Sequence, residues 1–167
     1  MTSTRTRAQL GAYSRRKGAD AEMQLAKYLT TMGWPEARRA VATGWRTPGR
    51  ENPDPGDITG TPGLVWQVKY VADMSDLQIQ DAMNEAEGQA ISSGADFGFL
   101  VQRRAGKSSP GDWWVWLSAS ELAVLVTSQV LTWAHVSNDQ QPVRMLVKDL
   151  VPLLTRNAYG NHVSLDD

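Results

Sequence analysis

Residues 57–69 read D-I-T-G-T-P-G-L-V-W-Q-V-K, and the strand in their second half decides how the rest of the chain is placed. Leu64, Trp66, Val68 and Tyr70 alternate with Val65, Gln67, Lys69 and Val71, the period-two pattern of a strand. Gln67 and Lys69 therefore share a face. Thr61-Pro62-Gly63 is a turn signal, because proline fixes φ and glycine accepts positive φ. Residues 57–60 are thus expected to fold back beside residues 64–70 as a bent hairpin, which brings Asp57 close to Gln67.

Upstream, Ala21, Leu25, Tyr28, Leu29 and Met32 recur at helical spacing, and Gly33 followed by Trp34-Pro35 ends the run. Glu22 lies on or beside the apolar stripe of this helix, with no basic residue one turn along to pair with. Such a carboxylate either reaches water or is satisfied by a metal or a buried donor. Residues 37–43 read as a first strand and residues 44–56 as a loop rich in glycine and proline.

Downstream, Ser75 and Gln78 form a capping box. Ile79, Ala82, Met83, Ala86 and Ala90 mark a second helix stopped by Gly94. Residues 97–103 read as a buried strand and W-W-V-W-L as another, ahead of a short helix capped by Ser118 and Glu121. Alternation puts Trp114 and Trp116 on one strand face, where core or dimer packing is preferred to base stacking. Residues 130–136 suggest a further strand. Residues 143–154 suit either a strand or a helix that ends before Pro152.

The 167 residues make one α/β domain, read as a basic flexible arm (1–14), a folded region (15–155) and a frayed tail (156–167). The absence of cysteine removes disulfides and thiolate chemistry, and fits a cytoplasmic protein. No apolar run is long enough for a membrane span. The net charge of −1 hides an asymmetry. Arg15, Arg16, Lys17, Arg38, Arg39, Arg46 and Arg50 all precede the hairpin, which points to a localised surface for a polyanion such as DNA. His135 and His162 lack a partner at metal-ligand spacing.

Asp57, Gln67, Lys69 and Glu22 offer two carboxylates, an amide oxygen and an ammonium. Mg²⁺ prefers oxygen ligands and keeps several waters, so one or two carboxylates with a neutral oxygen suffice, and Lys69 can orient an attacking water. These are the parts that phosphodiester hydrolysis uses.

With G-D-I, then Q-V-K ten positions from the aspartate, and a preceding helix bearing G-x-x-x-E (Gly18 to Glu22), the chain resembles the PD-(D/E)XK nuclease superfamily. Within it the likeness is to archaeal-type Holliday-junction resolvases, over about residues 14–103. The resemblance implies a restriction-endonuclease-like core (αβββαβ, a mixed central sheet flanked by helices). It also implies Mg²⁺ or Mn²⁺ held by Glu22, Asp57 and Gln67, catalysis with Lys69, and a homodimer on branched DNA. Gln67 stands where an acid is usual; it keeps a carbonyl ligand but forfeits a charge. Gln89 would face the site from the second helix. A nuclease of restriction-like, flap or single-strand specificity, or an inactive DNA-binding or assembly protein of the same fold, is the alternative.

Overall fold

In the computed structural model, which describes residues 7–40, 56–127 and 141–160, the chain starts with α1 (Arg7–Thr31), β1 (Arg38–Arg39), β2 (Ile58–Thr59) and β3 (Leu64–Lys69). It continues through α2 (Asp76–Ser93), β4 (Phe97–Gln102), a 3-10 turn (Pro110–Asp112) and β5 (Trp114–Ser118) to α3 (Ala119–Thr127), β6 (Pro142–Leu146) and α4 (Val147–Arg156). Strands β3, β4, β5 and β6 lie side by side in that order, in a mixed α/β single domain. β3 and β4 are parallel, with Leu64 opposite Phe97 and Lys69 opposite Gln102. A parallel pair needs a crossover, and α2 supplies it. β5 and β6 extend the sheet antiparallel.

The registers place Gln67 and Lys69 of β3, Leu100 and Gln102 of β4, Trp114 and Trp116 of β5 and Arg144 of β6 on one face. α2 packs over the β3–β4 half of that face, where Ile79, Ala82 and Met83 cluster with Leu100. The approach is close at Gly98, where a Cβ would lie 2.3 Å from the Ala86 carbonyl oxygen. The opposite face carries the main core. There Leu25 and Leu29 of α1 and Leu150 and Leu154 of α4 meet Trp66, Val68, Phe99 and Trp113. Full burial of one such leucine stabilises by about 1.5–3 kcal/mol.

α2 carries the expected capping box, with Ser75 Oγ accepting from Gln78 N–H and the Gln78 side chain accepting from Ser75 N–H. Gly94 adopts left-handed φ at its end, and the five expected apolar residues are buried. Ser118 and Glu121 cap α3 in the same way.

Other expectations are corrected. α1 begins at Arg7, so residues 7–14 are helix and not arm. β2 does not form a hairpin with β3. It pairs antiparallel with β1, Arg38 opposite Thr59, and the chain meets β3 through a parallel bridge from Gly56 to Trp66. Gly60 permits this turn with φ 82°, where a Cβ would meet the Glu36 carbonyl.

Residues 143–146 are strand, and α4 runs through Pro152. Burial of Val147, Leu150, Val151 and Leu154 outweighs the hydrogen bond that proline removes. The tail is tied down as far as Gly160. Tyr159 stacks edge-on against Phe97 at 5.7 Å and donates to Asp96 Oδ2 at 2.9 Å.

Trp113, Val115 and Leu117, not Trp114 and Trp116, enter the main core; the latter pair is partly buried on the α2 face, where Trp116 packs against the α2 cluster. The strands expected at residues 41–43 and 130–136, and both histidines, lie outside the described residues. Among the described residues, no helix is long and apolar enough to cross a membrane.

Candidate functional site

β3 has β4 on one edge, and the chain around Asp57 occupies the other. Asp57 N–H donates to the Trp66 carbonyl at 2.9 Å, and its own carbonyl accepts from Ala40 N–H at 2.8 Å. With the backbone fixed on both sides, the carboxylate turns inward and its Oδ2 accepts from Val68 N–H at 2.7 Å. The expected approach of Asp57 to the Gln67 region is thus present, made by a bridge and a side-chain hydrogen bond in place of a hairpin.

Gln67 and Lys69 share the α2 face, as alternation required, and both point at one residue. Glu85 Oε2 accepts from Gln67 Nε2 at 3.1 Å and from Lys69 Nζ at 3.3 Å. Gln67 is buried, whereas the Glu85 carboxylate stands half in solvent. Sequence reasoning missed Glu85. The signal for it was Gln89, which lies one helical turn further along α2 and is half-buried there.

Glu22 is drawn to the α1 side of the sheet, where it accepts from Arg39 Nε of β1. The donor missing within α1 therefore comes from a strand seventeen residues on. Among the described residues, no three Asp, Glu or His side chains are gathered closely enough to hold a metal ion. Beside β3 the described residues offer oxygen donors in the Asp57 and Glu85 carboxylates and the Gln67 amide.

The basic residues divide. Arg15 and Arg16 are exposed on α1, Arg38 stands 4.0 Å from Glu36, and Arg39 is engaged by Glu22. Arg46 and Arg50 lie outside the described residues. The Lys17 ammonium sits 4.4 Å from the Tyr13 ring and 5.0 Å from the Tyr70 ring. Its pKa is raised, chiefly by the hydrogen bond to Tyr13. Tyr70 directly follows Lys69, so Lys17 brings α1 to the carboxyl end of β3.

That end opens into a cleft of about 250 Å³ lined by Tyr70, Val71, Ala72, Arg103, Arg104 and Gly106. Open α/β sheets bind ligands outside the carboxyl ends of their parallel strands. Sequence alone makes Arg103 the last residue of a buried strand and Arg104 the first of a flexible loop with its own positive charge. Their closeness to Lys69 follows from the parallel pairing of β3 with β4, with Arg103 N–H donating to the Lys69 carbonyl. No protein-family model, no curated protein and no solved structure matches this chain.

Proposed function

We propose that the chain is a metal-dependent DNA endonuclease on a restriction-endonuclease-like core, cutting branched DNA as a homodimer like the Holliday-junction resolvases it resembles. One observation carries this reading. Asp57 bonds to Val68 N–H in the carboxyl half of β3, between Gln67 and Lys69, which share Glu85. The element order α1, β1, β2, β3, α2, β4 is also the one expected for that core.

The Asp57 and Glu85 carboxylates and the Gln67 amide are hard oxygen donors of the kind Mg²⁺ or Mn²⁺ takes, and two carboxylates suffice for an ion that keeps several waters. Bound there, the ion would stabilise charge on the phosphoryl oxygens. Lys69 orients the attacking water and adds positive charge beside the phosphate. Glu85 fixes the positions of Gln67 and Lys69. For Glu22 to act as a ligand it must exchange Arg39 for the cation; otherwise it anchors Arg39, whose remaining N–H groups face phosphate.

The test is cleavage of labelled four-way junction, duplex, flap and single-stranded DNA in Mg²⁺ or Mn²⁺ and in chelator. Paired symmetric nicks in the junction are expected, lost in chelator and in Asp57→Ala and Lys69→Ala, with DNA binding largely retained. Wild-type cutting by either variant would sink the assignment. Tight, salt-sensitive binding without metal-dependent cutting would leave a DNA-binding protein of the same fold. The engagement of Lys69 by Glu85 and of Glu22 by Arg39 favours that second reading.

A further inference from the structure

We propose that Trp114 and Trp116, with Arg104 and Arg144, form a stacking platform for unpaired nucleotides of a DNA strand that passes the candidate site. The proposal rests on the nuclease reading for the identity of the strand and extends it to the strand's conformation. Both indoles are partly buried on the face shared with Gln67 and Lys69, Trp116 packed against the edge of the α2 cluster and Trp114 two residues before it on β5.

The Arg104 guanidinium lies 4.0 Å from the Trp114 ring centre, and that of Arg144 lies 4.2 Å from Trp114 and 5.2 Å from Trp116. Neither arginine makes an ion pair among the described residues. Arg104 donates one N–H to the Asp112 carbonyl, and guanidiniums interleaved with indoles complement a ligand that offers negative charge and flat aromatic faces together. An unpaired strand has both. A duplex hides its base faces and offers chiefly phosphates, and an acidic peptide would leave the indoles without a partner.

The platform is held in place. Trp116 Nε1–H donates to Gln102 Oε1 at 3.2 Å, and Gln102 Nε2 donates to the carbonyls of Val71 and Ala72. Gln102 is buried, and its bonds tie the platform to the segment that follows Lys69. With its indole N–H engaged and its side chain packed against the α2 cluster, Trp116 is fixed in orientation beside Trp114.

Arg104 belongs to both the platform and the cleft at the carboxyl end of β3, so the two surfaces are continuous. Lys69, Gln102 and Trp114 are in register on successive strands, which puts Trp114 about 10 Å from Lys69 across the sheet. A strand lying over the cleft can place a phosphate near Lys69 and a neighbouring base on Trp114. The base stacks on the outer guanidinium plane, or on the indole while the arginine turns to the adjoining phosphate.

The experiment is fluorescence-anisotropy binding in chelator, so that no cutting is needed. Oligo(dT), an abasic strand of equal length and charge, and a duplex are compared on the full chain, its Trp114→Ala and Trp114→Phe variants, and Arg144→Ala. Wild type is expected to bind oligo(dT) on the order of 10-fold more tightly than the abasic strand. Trp114→Ala should erase that preference at an unchanged melting temperature, and Trp114→Phe should keep most of it. Arg144→Ala should lower the salt slope of binding by about one.

Equal affinity of wild type for the two strands overturns the proposal, as does a preference that survives in Trp114→Ala. Tryptophan-dependent self-association in place of strand binding also overturns it. Metal-dependent cutting without base preference removes the platform and leaves the nuclease; base preference in a protein that cuts nothing does the reverse.

Discussion

Replacing Gln67 by Glu exchanges the N–H donor that stands 3.1 Å from Glu85 Oε2 for a carboxylate oxygen. Two unit charges about 3 Å apart repel by about 5 kcal/mol at an effective dielectric of about 20, and by about 1 kcal/mol in bulk water. The Glu85 side chain is 50% exposed, and the Lys69 ammonium stands 3.3 Å from the same oxygen. Screening and that ammonium hold the net penalty to about 1–2 kcal/mol. In chelator, the variant is expected to melt about 2–8 °C below wild type, at about 2–4 °C per kcal/mol for a chain of this size. The introduced carboxyl titrates in the folded state above its unfolded value. The deficit is therefore full at neutral pH, shrinks as pH falls through the folded pKa, and vanishes below about 4.3, the unfolded value for Glu. A divalent cation at about 100 times its Kd adds about 2.7 kcal/mol to the form that binds it. An extra carboxylate strengthens that binding, so Mg²⁺ should close or reverse the deficit and lower the concentration needed for half-maximal cutting. Calorimetric melting in chelator and across a Mg²⁺ titration measures both effects. Equal melting temperatures in chelator would refute the Gln67–Glu85 geometry. A deficit that Mg²⁺ and Mn²⁺ leave untouched would refute the ion site.

Gly98→Ala forces α2 away from β4, because its Cβ would lie 2.3 Å from a backbone oxygen. A loss of about 1–3 kcal/mol is expected as a lower urea midpoint at unchanged m, and a wild-type midpoint would contradict the packing. Glu22→Gln removes the charge of a carboxylate that is 16% exposed but keeps an oxygen that can accept from Arg39, whose side chain is 43% exposed. Its effect on the urea midpoint should stay within about 1 kcal/mol, while cutting falls by more; a larger destabilisation would make the pair purely structural. Burial, and then the hydrogen bond to Asp96, push the Tyr159 phenol up to about 12. Its contribution to stability is complete below about 10, the unfolded value, and is lost as pH rises through about 12. Urea titrations over that window should show a shallower alkaline decline for Tyr159→Phe, and an unchanged slope would count against the contact.

Local signals were legible where periodicity and turn chemistry agree. The capping boxes at Ser75 and Ser118, the buried stripe of α2 and the shared face of Gln67 and Lys69 all follow from spacing alone. Asp57 reached β3 as expected, although through a parallel bridge, because a turn signal fixes reversal and not pairing partner. What escaped is non-local. Glu85 faces β3 only because α2 crosses back over the sheet, and Arg39 reaches Glu22 only because β1 lies against α1. In W-W-V-W-L both alternating sets are apolar, so the sequence could show that Trp114 and Trp116 share a face but not which face the core takes. α4 crosses Pro152 because its buried residues continue on both sides of the proline.

The division of labour between the two sheet faces accounts for where polar chemistry gathers. The main-core face is filled by large apolar side chains and covered by α1 and α4, with Trp66 and Phe99 in contact at 5.1 Å. On the other face α2 is held near Gly98 and centres on β3 and β4, reaching β5 only at Trp116. Among the described residues β6 is the last strand of this sheet, and an edge strand beside aromatic side chains is a surface prone to unwanted pairing. Arg144 on that strand and Arg104 beside it cover the partly buried indoles with charge. The two arginines thus put charge beside the edge strand, and with the indoles they form a cationic, aromatic strip that begins at the carboxyl end of β3. The placement of α2 therefore sets both the Gln67–Glu85–Lys69 cluster and the surface that leads away from it.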